Sequence, residues 1–316
     1  MDWARAKNIL IVAFLGVNLL LGYRLWTGPA TASSSLYTVG AREVREVAAQ
    51  LRERGVVLAA EIPRRARPLA LLTVSNPPVE PAAVAARFLG PGAEVVQEGD
   101  VWLGLKGQEA VVVYPGGEVF YRRLPRPGAQ PGGTPPSAGK EKPPDPDRAV
   151  QAARDFWGER GGLPTGADLD YHAPAGAGRY LVVFTCQAAG HRFFGGRAAA
   201  LVGPGGVEEA YGAFPLAEKP SGNPRPILPA TEALLRAAPL LVEKGAVVVQ
   251  VEEGYYSPVY DAREWEAVPV WRVRLGSGAS LYVNAYTGEP EGKDEPFPRN
   301  GQEIFAYLQK QGTRTK

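Results

Sequence analysis

The sequence holds a single cysteine, Cys186, in 316 residues. No internal disulfide can form, so folding must rest on packing, and a small disulfide-stapled secreted fold is excluded. A location outside the cytoplasm is not excluded by this. Histidine is almost as scarce, with only His172 and His191. Metal-ligand spacings such as C-x2-C or H-x3-H are missing, and no metal site is expected. A Gly-x-Ser-x-Gly elbow, a Ser-x-x-Lys set, a phosphate loop and a dinucleotide fingerprint are missing as well, so no cofactor is expected. The formal net charge is +2. Near balance, the chain lacks the field that draws proteins to nucleic acid, and no nucleic-acid partner is expected.

Apolar residues make up 45% of the chain, ample for cores in a length that suits two or three domains. The first thirty residues speak to compartment. The run from Ile9 to Leu21 is almost wholly apolar, and Tyr23, Leu25 and Trp26 extend it. As a helix, Ala4 to Trp26 reaches roughly 35 Å, enough to cross a hydrocarbon core of about 30 Å. Arg5 and Lys7 precede the run and only Arg24 lies just beyond it. This asymmetry predicts a cytoplasmic N-terminus, a single pass through the lipid bilayer by residues 8–26, and the bulk of the chain outside. Tyr23 and Trp26 suit the outer headgroup layer. A competing reading is a signal peptide cleaved after Ala30-Thr31-Ala32; Arg24 and Trp26 intervene between that site and the apolar core. Ile11, Leu15, Asn18 and Gly22 share one helical stripe. The Asn18 amide would gain from a partner helix in hydrocarbon, and Gly22 allows close approach. This stripe is the candidate transmembrane contact, against the alternative of an Asn tolerated in a lone helix.

The expected organisation has seven parts. Residues 1–7 form a short cytoplasmic tail, 8–26 the transmembrane helix and 27–35 a tether. Residues 36–123 form an α+β domain, with an amphipathic helix from Val39 to Arg54 and a second from Glu80 to Leu89. Strands are expected at Val56–Ala60, Leu69–Val74, Ala93–Val96, Val101–Leu105, Ala110–Tyr114 and Val119–Arg122, with Pro115-Gly116-Gly117 turning between the last two. Residues 124–147 are about half proline and glycine and form a linker or disordered loop. Residues 148–292 form a second α+β region: a helix capped by Asp147 and running to Arg160, strands at Tyr180–Gln187, His191–Phe194, Ala198–Val202 and Val207–Phe214, then a helix near Ala230–Leu241. The strand Val247–Glu252 follows. A hairpin of Val268–Leu275 and Ser280–Ala285, closed by Tyr286-Thr287-Gly288-Glu289, ends the region. Residues 293–316 form a tail with room for a short helix. The fold class is α+β, antiparallel curved sheets wrapping packed helices.

The chemistry on offer is thin. Cys186 and His191 flank an Ala-Ala-Gly turn and can face each other across a hairpin, yet nothing at suitable spacing would orient the imidazole. Paired acids occur at Asp168 with Asp170, Glu208 with Glu209, and Glu252 with Glu253. Such pairs serve glycoside cleavage when correctly separated, and otherwise sit on solvated strand edges. Tyr255, Tyr256, Tyr260 and Trp265 either line a carbohydrate groove or fill a small core. No catalytic residue is assigned, and an enzyme is not expected.

The opening MDWARAKNILIVAFLGVNLLLGYRLW resembles the N-terminal anchor of the YycI (WalI) family of Gram-positive bacteria. Glu61-Ile62-Pro63, the Val79-to-Leu89 helix ending in Phe88-Leu89-Gly90, and Gly254-Tyr255-Tyr256-Ser257 also fit that family. Pro269-Val270-Trp271-Arg272-Val273 and Tyr282-Val283-Asn284-Ala285 look like its last hairpin, itself similar to PepSY-type modules. The Pro/Gly stretch after Leu124 departs from the family pattern. The resemblance implies a YycH-related fold. It implies an accessory regulator of the WalK/WalR (YycG/YycF) two-component system, which governs the cell wall. The implied partners are a sensor histidine kinase of the WalK/YycG type and a YycH-like protein. The few residues before the apolar run are too short for an enzymatic output, so a signal would pass by helix packing or by contact outside the bilayer. Two alternatives stand beside this one. The first is an exported PepSY-like ligand-binding or protease-inhibitor module. The second is a wall-active hydrolase using Asp168 or Asp170.

Overall fold

A computed structural model describes residues 37–124, 144–164, 166–241 and 245–294, together with 7, 11, 14–18 and 297. Most of the apolar run 8–26, the tether, most of the Pro/Gly-rich stretch and the C-terminal tail therefore lie outside the described residues. Among the described residues no helix is long and apolar enough to cross a membrane.

Helix α1 (Ala41–Glu53) forms where the 3.6-residue spacing predicts it, and buries Val47 and Leu51. It stops at Gly55, whose φ of 79° favours glycine and whose N–H donates to the Arg52 carbonyl. Short strands surround it: β1 (Tyr37–Thr38) pairs with β3 (Arg65–Ala66), and β2 (Val57–Leu58) runs parallel to a much later strand. The seven-residue β4 (Leu69–Ser75) follows. Helix α2 (Pro81–Leu89) opens on a proline, which has no N–H to leave unpaired at a helix start. It packs on a meander of β5 (Glu94–Glu98), β6 (Val101–Lys106), β7 (Glu109–Val113) and β8 (Val119–Arg123). The approach is tight at Gly104, where a Cβ would lie 2.8 Å from Val111 and 3.0 Å from Ala85.

Helix α3 (Pro146–Glu159) is capped by Asp145 rather than by Asp147. The reason is local: Pro146 takes the first helical position, so the Asp145 carboxylate accepts the Asp147 N–H at 3.0 Å. Then come β9 (Asp168–Pro174), β10 (Tyr180–Ala188), β11 (His191–Gly203), β12 (Gly206–Ala213) and β13 (Leu216–Arg225). Helix α4 (Ala230–Ala237) ends earlier than its pattern suggests, because Pro239 cannot continue it, and a 3-10 turn (Ala238–Leu240) follows. Strands β14 (Val247–Tyr256), β15 (Glu264–Leu275), β16 (Ser280–Asn284) and β17 (Pro290–Asp294) complete the described chain. The Tyr286–Glu289 turn joins β16 to β17; the β15–β16 hairpin closes instead through Gly276–Ala279.

The architecture is mixed α+β around one large sheet, whose main path runs β13-β4-β15-β14-β11-β12-β8-β7-β6-β5. Strands from either side of residues 124–147 pair directly: β8 with β12, β4 with β13 and β15, and β2 with β14. The sheet branches at β11. Its residues Arg197–Gly203 pair antiparallel with β12, while Arg192 and Phe193 pair parallel with Gly254 and Tyr255 of β14. The two segments expected as separate strands, His191–Phe194 and Ala198–Val202, are thus one strand. Opposite β10, the pairs Thr185↔Arg197 and Cys186↔Phe193 leave Phe194, Gly195 and Gly196 as a bulge. Glycine is required there, since a Cβ at Gly196 would lie 2.8 Å from the Cys186 sulfur.

Two main cores follow from this layout. In one, α1 and α4 cover β14–β16, burying Leu51, Leu234, Val248 and Trp271. In the other, α2 and α3 cover β7, β8 and β10–β12, with Phe88, Phe156 and Trp157 in mutual edge-to-face contact.

Candidate functional site

The face of β14–β16 turned away from α1 and α4 carries charge in its interior. Arg272 sits on β15 between Trp271 and Val273, which point into the helix-covered core, so alternation sends Arg272 to the opposite face. There its side chain is only 3% exposed. It meets Asp170, which is 1% exposed and arrives from β9. A bulge delivers it: Tyr171 pairs with Val183 and Leu169 with Phe184, so Asp170 is the extra residue. Arg272 grips Asp170 in two places, Nη1 donating to Oδ2 and Nη2 to Oδ1, the latter at 2.7 Å. Nη2 also donates to Glu252 of β14, and the guanidinium lies 4.4 Å above the Phe194 ring. Arg192 of β11 reaches both acids, at 3.3 Å from Asp170 and 3.3 Å from Glu252. Thr185 of β10 donates its hydroxyl to Asp170 at 3.1 Å. Beside this, Tyr256 stacks on Tyr282 at 3.9 Å.

The electrostatics follow from these distances. Burial pushes the Asp170 carboxyl up, but hydrogen bonding from Arg272, the Arg272 and Arg192 charges and the Thr185 hydroxyl outweigh it. The net direction is downward, so Asp170 stays ionised. Arg272 moves upward: burial opposes its charge, and Asp170 and Glu252 overcome that. Both Asp170 oxygens are committed to fixed donors. A carboxylate so held serves as a strut joining β9 to β10, β11 and β15, and makes a poor proton donor.

The other sequence candidates are dispersed. Asp168 accepts the Gln187 amide at 2.6 Å and does not join Asp170. Glu209 receives Arg122 Nε at 2.9 Å, while Glu208 lies 3.9 Å from Arg179. Glu252 belongs to the charge cluster, whereas Glu253 faces His191 at 3.7 Å. Burial raises the Glu253 carboxyl above the ordinary range, with His191 and Arg67 opposing it. Cys186 and His191 do not meet: Ala189 and Gly190 make the turn, with φ of 51° and 80°, and Cys186 packs among Leu72, Val74, Phe193 and Tyr255. Burial pushes its thiol up to about 12, which keeps it protonated and unreactive. His172 is exposed beside Tyr180.

Of the four aromatics, Tyr255 is buried, Tyr256 is in the stack, and Trp265 donates its indole N–H to Ser257 at 2.6 Å. Tyr260 alone is exposed, edge-on to Trp265. They do not form one groove. A separate apolar cleft of about 290 Å3 lies between the 3-10 turn, the β15–β16 hairpin and β17, lined by Leu240, Leu241, Leu275 and Leu281 among others. Of the N-terminal stripe, Ile11 and Leu15 are exposed and Asn18 donates to the Phe14 carbonyl at 3.0 Å; Gly22 lies outside the described residues.

Sequence reasoning singled out Asp170 and Glu252 without their arginines. A signal for Arg272 was present, since it is the one charged residue in an otherwise continuous apolar run, Val268–Val273. Nothing in the sequence marked the bulge that aims Asp170.

No protein-family profile matches this chain, and no curated protein matches it. Solved structures are similar at low identity, three of them as follows. The C-terminal domain of Bacillus megaterium YpeB is 16% identical, with 71% of this chain and 100% of that chain covered and a TM-score of 0.35. An uncharacterized protein from Eubacterium rectale is 10% identical, with coverage of 78% and 98% and a TM-score of 0.45. YycH from Bacillus subtilis is 8% identical, with coverage of 68% and 53% and a TM-score of 0.40.

Proposed function

We propose that this protein is a membrane-anchored accessory regulator that works by binding. It associates with a sensor histidine kinase of the WalK/YycG type and a YycH-like partner, and modulates the kinase in cell-wall homeostasis. The reading rests on the resemblance to the YycI family, and one observation carries it furthest. The Gly254-Tyr255-Tyr256-Ser257 segment of that resemblance sits where β14 joins β11. A Cβ on Gly254 would lie 2.5 Å from the Arg192 carbonyl, Tyr255 is buried, Tyr256 stacks on Tyr282, and Ser257 receives Trp265. The segment thus maintains a junction, as a binding scaffold requires, and presents no reacting group. The commitment of Asp170 to Arg272 and Arg192 weighs against the hydrolase alternative for the same reason.

Regulation by contact needs only a modest bias. A difference of about 1–3 kcal/mol between kinase states changes signalling roughly five- to 150-fold. The stripe of Ile11, Leu15, Asn18 and Gly22 supplies part of it. The test is recovery of the kinase from detergent-solubilised native membranes with the full chain, with residues 33–316, and with Asn18→Leu. The kinase co-purifies with the full chain, less with Asn18→Leu, and not with 33–316. Failure of the full chain to recover any kinase rejects the reading. The apolar cleft of about 290 Å3 favours a second reading, an exported ligand-binding module; its ligand would be held equally by 33–316.

A further inference from the structure

Strand edges expose unpaired N–H and C=O groups, and folded proteins block them with proline, bulges or charge. Among the described residues, three edges of the large sheet are blocked in this way. Strand β13 carries Pro220 and Pro224 and slips register twice against β4. Strand β9 ends on Pro174 and holds the Asp170 bulge. Strand β17 begins at Pro290 and shifts register against β16. Strand β5 differs. Its guard is charge alone, from Glu94 and Glu98: it has no proline, pairs with β6 without a break from Glu94↔Leu105 to Glu98↔Val101, and leaves Val96 61% exposed.

We propose that the edge of β5, unpaired among the described residues, is a docking site for an extended, basic segment of another protein, which adds to the sheet as one more antiparallel strand. The two-residue turn Gly99–Asp100, with Gly99 at φ 61°, makes Glu98 and Val101 the first hydrogen-bonded pair. The backbone groups of Glu94, Val96 and Glu98 then face β6, and those of Val95 and Gln97 face outward, ready for a partner. Side chains set the partner's chemistry. Glu94, Val96 and Glu98 lie on one face and are all exposed, with Asp100 in the turn beside them. The complement is a strand with Lys or Arg, then an apolar residue, then Lys or Arg at alternate positions. A second copy of this chain is disfavoured, because antiparallel self-pairing about Val96 sets Glu94 directly against Glu98 of the other copy, twice. The site is remote in sequence from the N-terminal stripe and does not rest on the regulatory reading.

The test uses the full chain in nanodiscs of neutral phosphatidylcholine and a fluorescent peptide, acetyl-Thr-Lys-Thr-Val-Thr-Lys-Thr-amide. The glutamate version of the peptide is the control. The basic peptide binds, and binding weakens as salt rises from about 0.05 M to about 0.5 M, as exposed charge contacts do. Gln97→Pro removes an outward N–H without touching the β5–β6 ladder, and weakens binding about tenfold or more. Glu94→Lys with Glu98→Lys keeps the backbone intact and transfers preference to the acidic peptide. Equal binding of both peptides, no binding of either, or wild-type affinity in Gln97→Pro would overturn the proposal. A wild-type dimer that Gln97→Pro dissociates would also overturn it, in favour of self-pairing.

Discussion

Replacing Asp170 by Asn keeps the side-chain shape and removes one charge from the interior cluster. At an effective dielectric constant of about 20, a guanidinium and a carboxylate about 4 Å apart attract by about 4 kcal/mol. Asp170 makes its closest such contact with Arg272 and a second, at 3.3 Å, with Arg192. Removing one member of a buried pair typically costs about 3–5 kcal/mol, because the other charge remains desolvated. Here Arg272 keeps Glu252 and the face of Phe194, which places the expected loss near about 3 kcal/mol. For a chain of this size that lowers the melting midpoint by roughly 4–6 °C. The assay is thermal and urea unfolding of the purified chain at neutral pH. The acid side supplies a second readout. Folded Asp170 titrates below its unfolded value of about 3.9, so its contribution is present above that pH and is lost as pH falls through the folded value. The gap between parent and Asp170→Asn therefore closes in acid. Asp170→Leu combined with Arg272→Met loses less than the sum of the single changes, since no unpaired charge is left. A midpoint for Asp170→Asn within about 1 °C of the parent at neutral pH would refute the account of the cluster as an ionic strut.

Two further outcomes follow from the same region. Gly254→Ala places a methyl 2.5 Å from the Arg192 carbonyl and 2.6 Å from the Phe194 ring, so it should destabilise by about 2–3 kcal/mol; amide exchange of Arg192 and Phe193 should accelerate more than that of Trp157. Glu253→Gln should stabilise the fold at pH 8 and do little at pH 4. The folded carboxyl titrates above its unfolded value, so its ionisation in the folded state opposes stability as pH rises through that value; a larger gain at pH 4 than at pH 8 would contradict this.

Much of the fold was legible where a residue pattern is local. The β5–β8 meander announces itself through alternating apolar runs and the Pro115-Gly116-Gly117 turn, and α1 through Val44, Val47 and Leu51. Strand β13 was not legible, because Pro220, Pro224 and its polar residues read as loop; it pairs only because an edge needs no second set of N–H donors. The unity of β11 was hidden by Gly195-Gly196, a pair that usually signals a turn and here allows a bend. The charge cluster was legible only as isolated acids. Its assembly depends on five strands meeting, and no spacing along the chain encodes that.

The position of β4 has a consequence for how the chain reaches its native state. Both of its neighbours, β13 and β15, come from far along the chain, and Ser75 pairs with Glu264 about 190 residues later. At synthesis rates of about 5–20 residues per second, β4 waits roughly 10–40 s for β15 to emerge. Until β13 emerges, about 140 residues behind it, the segment Leu-Ala-Leu-Leu-Thr-Val-Ser is proline-free, uncharged and unpaired on both sides, and it stays unpaired on the β15 side for the whole interval, a composition prone to cross-β association. High contact order thus makes β4 the point at which a nascent chain is most exposed to misassembly, and the natural substrate for a holding chaperone until its C-terminal third arrives.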